Sequence, residues 1–321
     1  MSAYEVSFTI GHVLRHAPAG SQGREAALID IAQDLLLRRL HDDGLLGMLA
    51  FKGGTALRKL YAGAQGRFSV DLDFSVRDIG TDDASILELL TETITDLTIE
   101  PFTYGLTERR GKKTLTIETT LGSTGALASK LDVNPPPWLE PVSRSFVPMP
   151  IHDRYGGPLP ELTVVRLEEN VAEKIARLNR TTTARDVYDL VWLWRHYRDA
   201  NGAPLDHALV RRLAVLKNWV DKFGLHTEGA TWKPAHEAYP FDPAHWLRER
   251  AAGDFDQQDI GQLSVPPPDL EVLGQELRTG YAFLAELDEQ EQAVAALDGG
   301  DRRTVLQMLA ELPTSRLTGC W

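Results

Sequence analysis

The stretch MLAFKGGTALRKLYAGAQGRFSVDLDFSV, residues 48–76, decides the fold. Met48 to Phe51 is a short apolar run that stops at Lys52-Gly53-Gly54-Thr55. Two adjacent glycines break a strand and let backbone approach a ligand closely. Thr55 has the side chain of an N-cap, and the helix it would open runs through Ala56, Leu57, Leu60 and Tyr61. Gly63 and Gly66 then punctuate the chain. From Phe68 the text Phe-Ser-Val-Asp-Leu-Asp-Phe alternates with the period of a strand that has one buried face. That alternation predicts Ser69, Asp71 and Asp73 on one face and Val70, Leu72 and Phe74 on the other.

Two carboxylates two residues apart on a strand project the same way and repel each other. A cation between them relieves the repulsion. Hard oxygen ligands suit Mg²⁺, which usually takes one or two carboxylates and completes its shell with phosphate and water. The glycine turn and helix start upstream offer backbone N–H groups, a ready phosphate site. A phosphate cradle followed by a two-carboxylate metal site is apparatus for moving a nucleotidyl or phosphoryl group.

The remaining composition narrows the class. The chain has 321 residues, room for two domains of ordinary size, and its 43% hydrophobic and 25% charged content is that of a soluble globular protein. No run of 18 apolar residues occurs, so no membrane span is expected. The N-terminal text lacks a basic segment followed by an apolar core, so no secretory signal is expected either. The lone cysteine, Cys320, excludes an internal disulfide and any Cys-based zinc or redox site, which fits a reducing cytoplasm. A formal net charge of −12 opposes approach of a nucleic acid, so an RNA partner would need a local basic surface.

Helical spacing predicts a helix over about 22–42 and another over Ser85–Leu97. Phe102–Thr107 and Thr114–Thr120 read as strands joined by a basic tip. Ser129–Val133 reads as a further strand, carrying Asp132. Pro141–Pro160 is rich in proline and glycine and marks a boundary between domains 1–160 and 161–321. Beyond it, Leu167, Val171, Ile175 and Leu178 form the stripe of a helix, with Lys174 and Arg177 off that stripe. Thr181-Thr182-Thr183 breaks it, and Ala184 opens a helix on which Asp186 and Asp189, three apart, are neighbours. Further helices are expected over 204–222, 269–284, 286–297 and 301–312. Arg177, Arg180, Arg195, Arg198, Arg211, Arg212 and Lys217 offer cations for a basic groove that an RNA end needs. In the tail, Phe241, Trp246, Leu247, Phe255, Ile260, Leu263 and Val265 read as packing residues. The whole is an α+β chain: a small mixed sheet in the N-terminal domain and a mainly helical C-terminal domain closing a cleft.

Gly53-Gly54-Thr55 followed by Asp71-Leu72-Asp73 resembles the first motif of the DNA polymerase β-like nucleotidyltransferase superfamily. The longer strings FKGGTALRKLY and RFSVDLDF, with EKIARLNR and ARDVYDL later in the chain, resemble the AbiEii/AbiGii toxin family, which includes the MenT-type toxins. The resemblance implies a Mg²⁺-dependent nucleotidyltransferase toxin that moves NMP from an NTP to the 3′ end of tRNA. That product blocks aminoacylation and growth, and a cognate antitoxin protein opposes it. It implies that Asp71 and Asp73 hold Mg²⁺, with Asp132 on a neighbouring strand as a third carboxylate. Gly53, Gly54, Thr55 and Ser69 would cradle phosphate, with Lys59 a charge partner. Lys174 would meet the triphosphate and stabilise leaving pyrophosphate, facing the strand carboxylates. Asp189 is the catalytic acid residue carried over, and Asp186 a lesser candidate at the nucleotide. Two alternatives stay open: an acceptor that is a protein or small molecule, and a non-catalytic binding module on the same fold.

Overall fold

A computed structural model describes residues 5–17, 23–109, 112–122, 125–181, 183–235, 237–243, 269–298 and 302–317. The packing positions expected at Trp246, Leu247, Phe255, Ile260, Leu263 and Val265 lie outside these residues, as does Cys320; Phe241 lies inside and is buried. The described residues divide into two compact units. One holds the chain to Pro136 together with Pro141–Val164. The other takes Pro137–Glu140 and the described residues from Val165 onward.

The first unit is built on eight strands: β1 Leu49–Lys52, β2 Leu72–Val76, β3 Leu97–Ile99, β4 Phe102–Arg109, β5 Lys112–Thr119, β6 Leu127–Asn134, β7 Val142–Arg144 and β8 Leu162–Val164. Their order is β3-β4-β5-β6-β2-β1-β8-β7. β3 to β6 form an antiparallel meander. β6 then runs parallel to β2, and β2 antiparallel to β1. The sheet is thus mixed but larger than the small one expected. Three of its strands, β3, β7 and β8, are three residues long, too short to show an alternation in sequence.

Helices α1 Ile10–His16, α2 Gly23–Asp42 and α4 Asp83–Ile94 belong to the same unit. Leu28, Ile31, Leu35 and Leu36 of α2 share one core with Phe51, Leu72, Phe74, Leu115 and Leu131 of the sheet. α2 is buried nearly all round, and its polar residues Asp30, Gln33, Asp34 and Arg38 go inside with it. Buried charge must be paired and hydrogen-bonded. Asp30 therefore meets Arg58, Lys59 and His16, and Asp34 meets Lys59 and the Tyr155 hydroxyl. Burial alone would raise the Asp30 carboxyl; Arg58 and Lys59 reverse this and hold it well below the usual carboxylate range.

The second unit is mainly helical. It contains α5 Leu167–Arg180, α6 Ala184–His196, α7 His207–Phe223, α8 Leu270–Gly280, α9 Glu289–Ala295 and α10 Arg302–Ala310. A two-stranded hairpin joins them, β9 Leu225–Thr227 with β10 Ala230–Trp232. The Asp206 carboxylate accepts from the Leu209 N–H to start α7, and Gly224 at φ +71° stops it. No helix among the described residues is long and apolar enough to cross a membrane.

Candidate active site

The glycine turn opens a helix three residues earlier than its sequence predicts. The helix α3 spans Gly53–Leu57 with Lys52 at its N-cap, and a π-helical turn over Arg58–Ala62 continues it. Thr55 is therefore not the cap. Its buried side chain donates its hydroxyl proton to the Asp71 carbonyl instead. Thr55 acts on the carboxylate segment, and its hydroxyl is not aimed at a phosphate.

The two glycines are needed for different reasons. Gly53 sits at φ +81°, where L residues are strained, and a Cβ there would lie 2.4 Å from the Asp73 Oδ2. A Cβ on Gly54 would lie 2.4 Å from the Arg67 Nη2 and 3.1 Å from the Ser69 Oγ. The turn thus lets the Asp73 carboxylate rest on Gly53 and lets Arg67 and Ser69 rest on Gly54. Ser69 and Arg67 are themselves buried.

The strand that carries the acid pair is shorter than the alternation implies. β2 begins only at Leu72, so residues 67–71 lie outside the ladder. Leu72 and Phe74 go into the core as expected, but Val70 is 42% exposed. Asp71 and Asp73 are half-buried. Asp73 faces Lys52 of β1 on one side and Asp132 of β6 on the other, as register partners. Burial pushes the Asp73 carboxyl above the usual range. Lys52 pulls it back, and the negative charges of Asp71 and Asp132 push it further up. Three carboxylates therefore share one field. Among the described residues they do not close into a three-ligand metal cluster, and Asp132 is ion-paired with Lys130. What fits an ion here is the Asp71–Asp73 pair: hard oxygens whose repulsion a divalent cation relieves, with room in its shell for phosphate.

Lys59 is elsewhere. Its side chain is fully buried, and its ammonium donates to the Asp30 carbonyl at 3.0 Å, the Asp30 Oδ1 at 3.0 Å and the Asp34 Oδ1 at 2.6 Å. All three ammonium hydrogens are used, so none remains for a nucleotide. The expectation that Lys59 is a charge partner of phosphate is corrected: it is a structural cation. Its position two turns into a helix placed it near the glycines in sequence, while the helix phase turned it inward.

In the second unit Lys174 is not the off-stripe lysine that periodicity predicts. It is buried, and its ammonium donates to the Asp186 Oδ1 and the Asp189 Oδ2, both at 2.9 Å. Asp186 also accepts from the Thr183 hydroxyl at 2.8 Å and pairs with Arg177 at 3.4 Å. Burial would raise the Asp186 carboxyl, but Lys174 and Arg177 hold it far below the usual range. The sequence-predicted trio of Lys174, Asp186 and Asp189 is thus one assembled cluster. Two of the three lysine donors are taken within it.

The basic surface expected on these helices is largely neutralised. Arg180 pairs with Asp221, Arg195 with Glu276, Arg211 with Glu291 and Arg212 with Asp288. Lys217, expected outside, is buried against Glu169 and over the Trp138 ring at 3.9 Å. Sequence reasoning missed Lys52 and Lys130, the cations that act on Asp73, and Arg67 beside Gly54. One signal was present: Arg67 stands in the same alternating register as Ser69, Asp71 and Asp73.

Residues 34–276 match the family described as nucleotidyl transferase AbiEii toxin, type IV toxin–antitoxin system. Among solved structures, the chain is similar to MenT4, a nucleotidyltransferase toxin from Mycobacterium tuberculosis H37Rv. The identity is 34% and the TM-score 0.81, with 95% of this chain and 99% of that chain covered. No curated protein matches the sequence.

Proposed function

The chain belongs to the AbiEii family of nucleotidyltransferase toxins of type IV toxin–antitoxin systems, and from that premise we propose a specific reaction. It is Mg²⁺-dependent transfer of NMP from an NTP to the 3′ end of tRNA, in the cytoplasm, opposed by an antitoxin. Asp71 and Asp73 would hold the Mg²⁺. When bound, the ion supplies Lewis-acid charge for the triphosphate and a more acidic attacking hydroxyl. The acceptor hydroxyl gives up its proton to solvent and its oxygen bonds to the α-phosphorus while the bond from that phosphorus to the oxygen of the β-phosphate breaks, and pyrophosphate leaves with the negative charge.

The chain's own part is placement and charge. Gly53 and Gly54 let the Asp73 carboxylate, Arg67 and Ser69 close onto the turn that opens α3, which sets a cation-binding acid beside a helix start of the kind that suits phosphate. Ser69 and Arg67 flank Gly54 and offer hydroxyl and guanidinium donors. By the motif resemblance, Lys174 is the cation for the leaving pyrophosphate; within its own unit Asp189 and Asp186 hold its ammonium. The observation that carries this reading is the contact of the Gly53 backbone with the Asp73 carboxylate. It brings a phosphate-binding turn and a cation-binding acid together.

The acceptor rests on the motif resemblance. One observation favours a second reading, a protein or small-molecule acceptor: the helical unit's cations are paired with acids, and the net charge is −12. Incubation with α-labelled NTP and a cell extract, followed by separation of RNA from protein, tests the choice. Label in tRNA supports the proposal, and label confined to protein or small molecules replaces it.

A further inference from the structure

We infer that Gln33, Thr55 and Ser129 are positioning residues that set the Asp71 carboxylate for its metal. The inference rests on the proposed role of Asp71. Residues 67–71 precede β2 and lie outside its ladder, so strand pairing does not fix them. A carbonyl in such a segment has no ladder partner to hold it. Here the donors are three side chains, each from a different element. The Thr55 hydroxyl, from α3, donates to the Asp71 carbonyl. The Ser129 hydroxyl, from β6, donates to the Val70 carbonyl. The Gln33 amide, from α2, donates to the same Val70 carbonyl at 3.0 Å and to the Ser129 Oγ at 3.3 Å. All three side chains are buried, at 0%, 0% and 1% exposure for Gln33, Thr55 and Ser129.

The carbonyls on both sides of the Asp71 backbone N–Cα–C unit are therefore clamped. Clamping both peptides fixes φ and ψ of Asp71, and with them the direction of its Cα–Cβ bond. Simple satisfaction of the backbone would need one donor per carbonyl. The Val70 carbonyl receives two, and Gln33 leaves its own Oε1 without a hydrogen-bond partner among the described residues to supply one of them. A buried unpaired acceptor costs stability, so this arrangement gives up some stability to place that amide. The clamp also joins the carboxylate segment to β6, the strand of Asp132.

The test uses Thr55→Val, Ser129→Ala and Gln33→Leu in the full chain, with Thr55→Ser as the conservative control. Mn²⁺ binding is read by electron paramagnetic resonance, without substrate, beside the Mg²⁺ half-saturation of NTP transfer. The expected result is a rise of roughly 10–100-fold in Mn²⁺ Kd and in Mg²⁺ half-saturation, the range for groups that orient metal ligands. KM for NTP at saturating Mg²⁺ stays near wild type, and Thr55→Ser restores metal affinity. If the folded variants bind Mn²⁺ as the wild type does, the three are structural only and the inference is overturned. A drop in thermal midpoint with unchanged metal affinity overturns it equally. If the wild type itself binds no Mn²⁺ that Asp71→Asn removes, the reading of Asp71 fails, and that outcome is distinct from failure of the clamp.

Discussion

Asp73 of β2 and Asp132 of β6 are register partners across a parallel strand pair, so two carboxylates occupy one level of the sheet. Asp71 adds a third negative charge to the field, and the Asp73 carboxyl is raised as a result of burial and these neighbours. Lys52 and Lys130 offset part of it. A site of this kind is unfavourable until a cation enters, which is how a folded chain stores affinity for one.

The raised Asp73 carboxyl gives a stability prediction with a definite sign. A carboxyl whose folded pKa exceeds its unfolded value costs stability wherever it is ionised, and the cost fades as pH falls through the folded pKa. Asp73→Asn should therefore raise the thermal midpoint at pH 7 in the presence of a chelator. The gain should shrink as pH is lowered below the folded pKa of Asp73. Thermal unfolding with and without Mg²⁺ checks this, and Mg²⁺ should stabilise the wild type while leaving Asp73→Asn unchanged.

The two glycines should respond differently to alanine. At Gly53 the new Cβ meets a carboxylate on a β-strand and a positive φ, so both backbone and Asp73 must shift. At Gly54 it meets the end of a flexible arginine. Gly53→Ala should lower kcat/KM for NTP by about 100-fold or more, a loss of ~3 kcal/mol in transition-state binding. Gly54→Ala should act mainly on KM. Steady-state kinetics on both variants separates the two effects.

Lys59→Met should act on stability and not on nucleotide affinity. Removing a buried cation leaves Asp30 and Asp34 short of partners, at a cost of about 3–5 kcal/mol. Denaturant titration should show that loss, while the folded fraction keeps its KM for NTP.

If Lys174 has its proposed role, loss of toxicity in Lys174→Ala combines two effects, chemistry and folding. Its ammonium joins Asp186 and Asp189 in a buried cluster, so truncation should also cost about 3–5 kcal/mol. Because the Asp186 carboxyl is held low, its stabilising contribution is complete above the unfolded pKa and fades only as pH falls toward the folded value. Wild-type stability should therefore hold from neutral pH into mild acid, while Asp186→Asn is already destabilised at pH 7. Unfolding curves between pH 7 and pH 4 check this.

The long signals in the sequence were legible. α2, α5, α6 and α7 came from apolar periodicity, and the strands bearing Asp73 and Asp132 from alternation and their flanking turns. The acid pair and the glycine turn were adjacent in one stretch, so their chemistry could be read together. What escaped was side-chain phase. Lys59 and Lys174 are both lysines on helices, and periodicity expects such residues in water. Their burial depends on acids at Asp30, Asp34, Asp186 and Asp189, which reach them through tertiary packing. The clamp on Asp71 escaped for the same reason: Gln33 and Ser129 lie 37 and 59 residues from Val70 in sequence.

The most direct test is incubation of the purified chain with each α-labelled NTP and tRNA, with Mg²⁺ or with chelator, beside Asp71→Asn. The account predicts label at the tRNA 3′ end only when Mg²⁺ and the intact Asp71 are both present. Transfer that persists in chelator or in Asp71→Asn would contradict it, as would no transfer to any acceptor from a folded wild-type chain supplied with Mg²⁺.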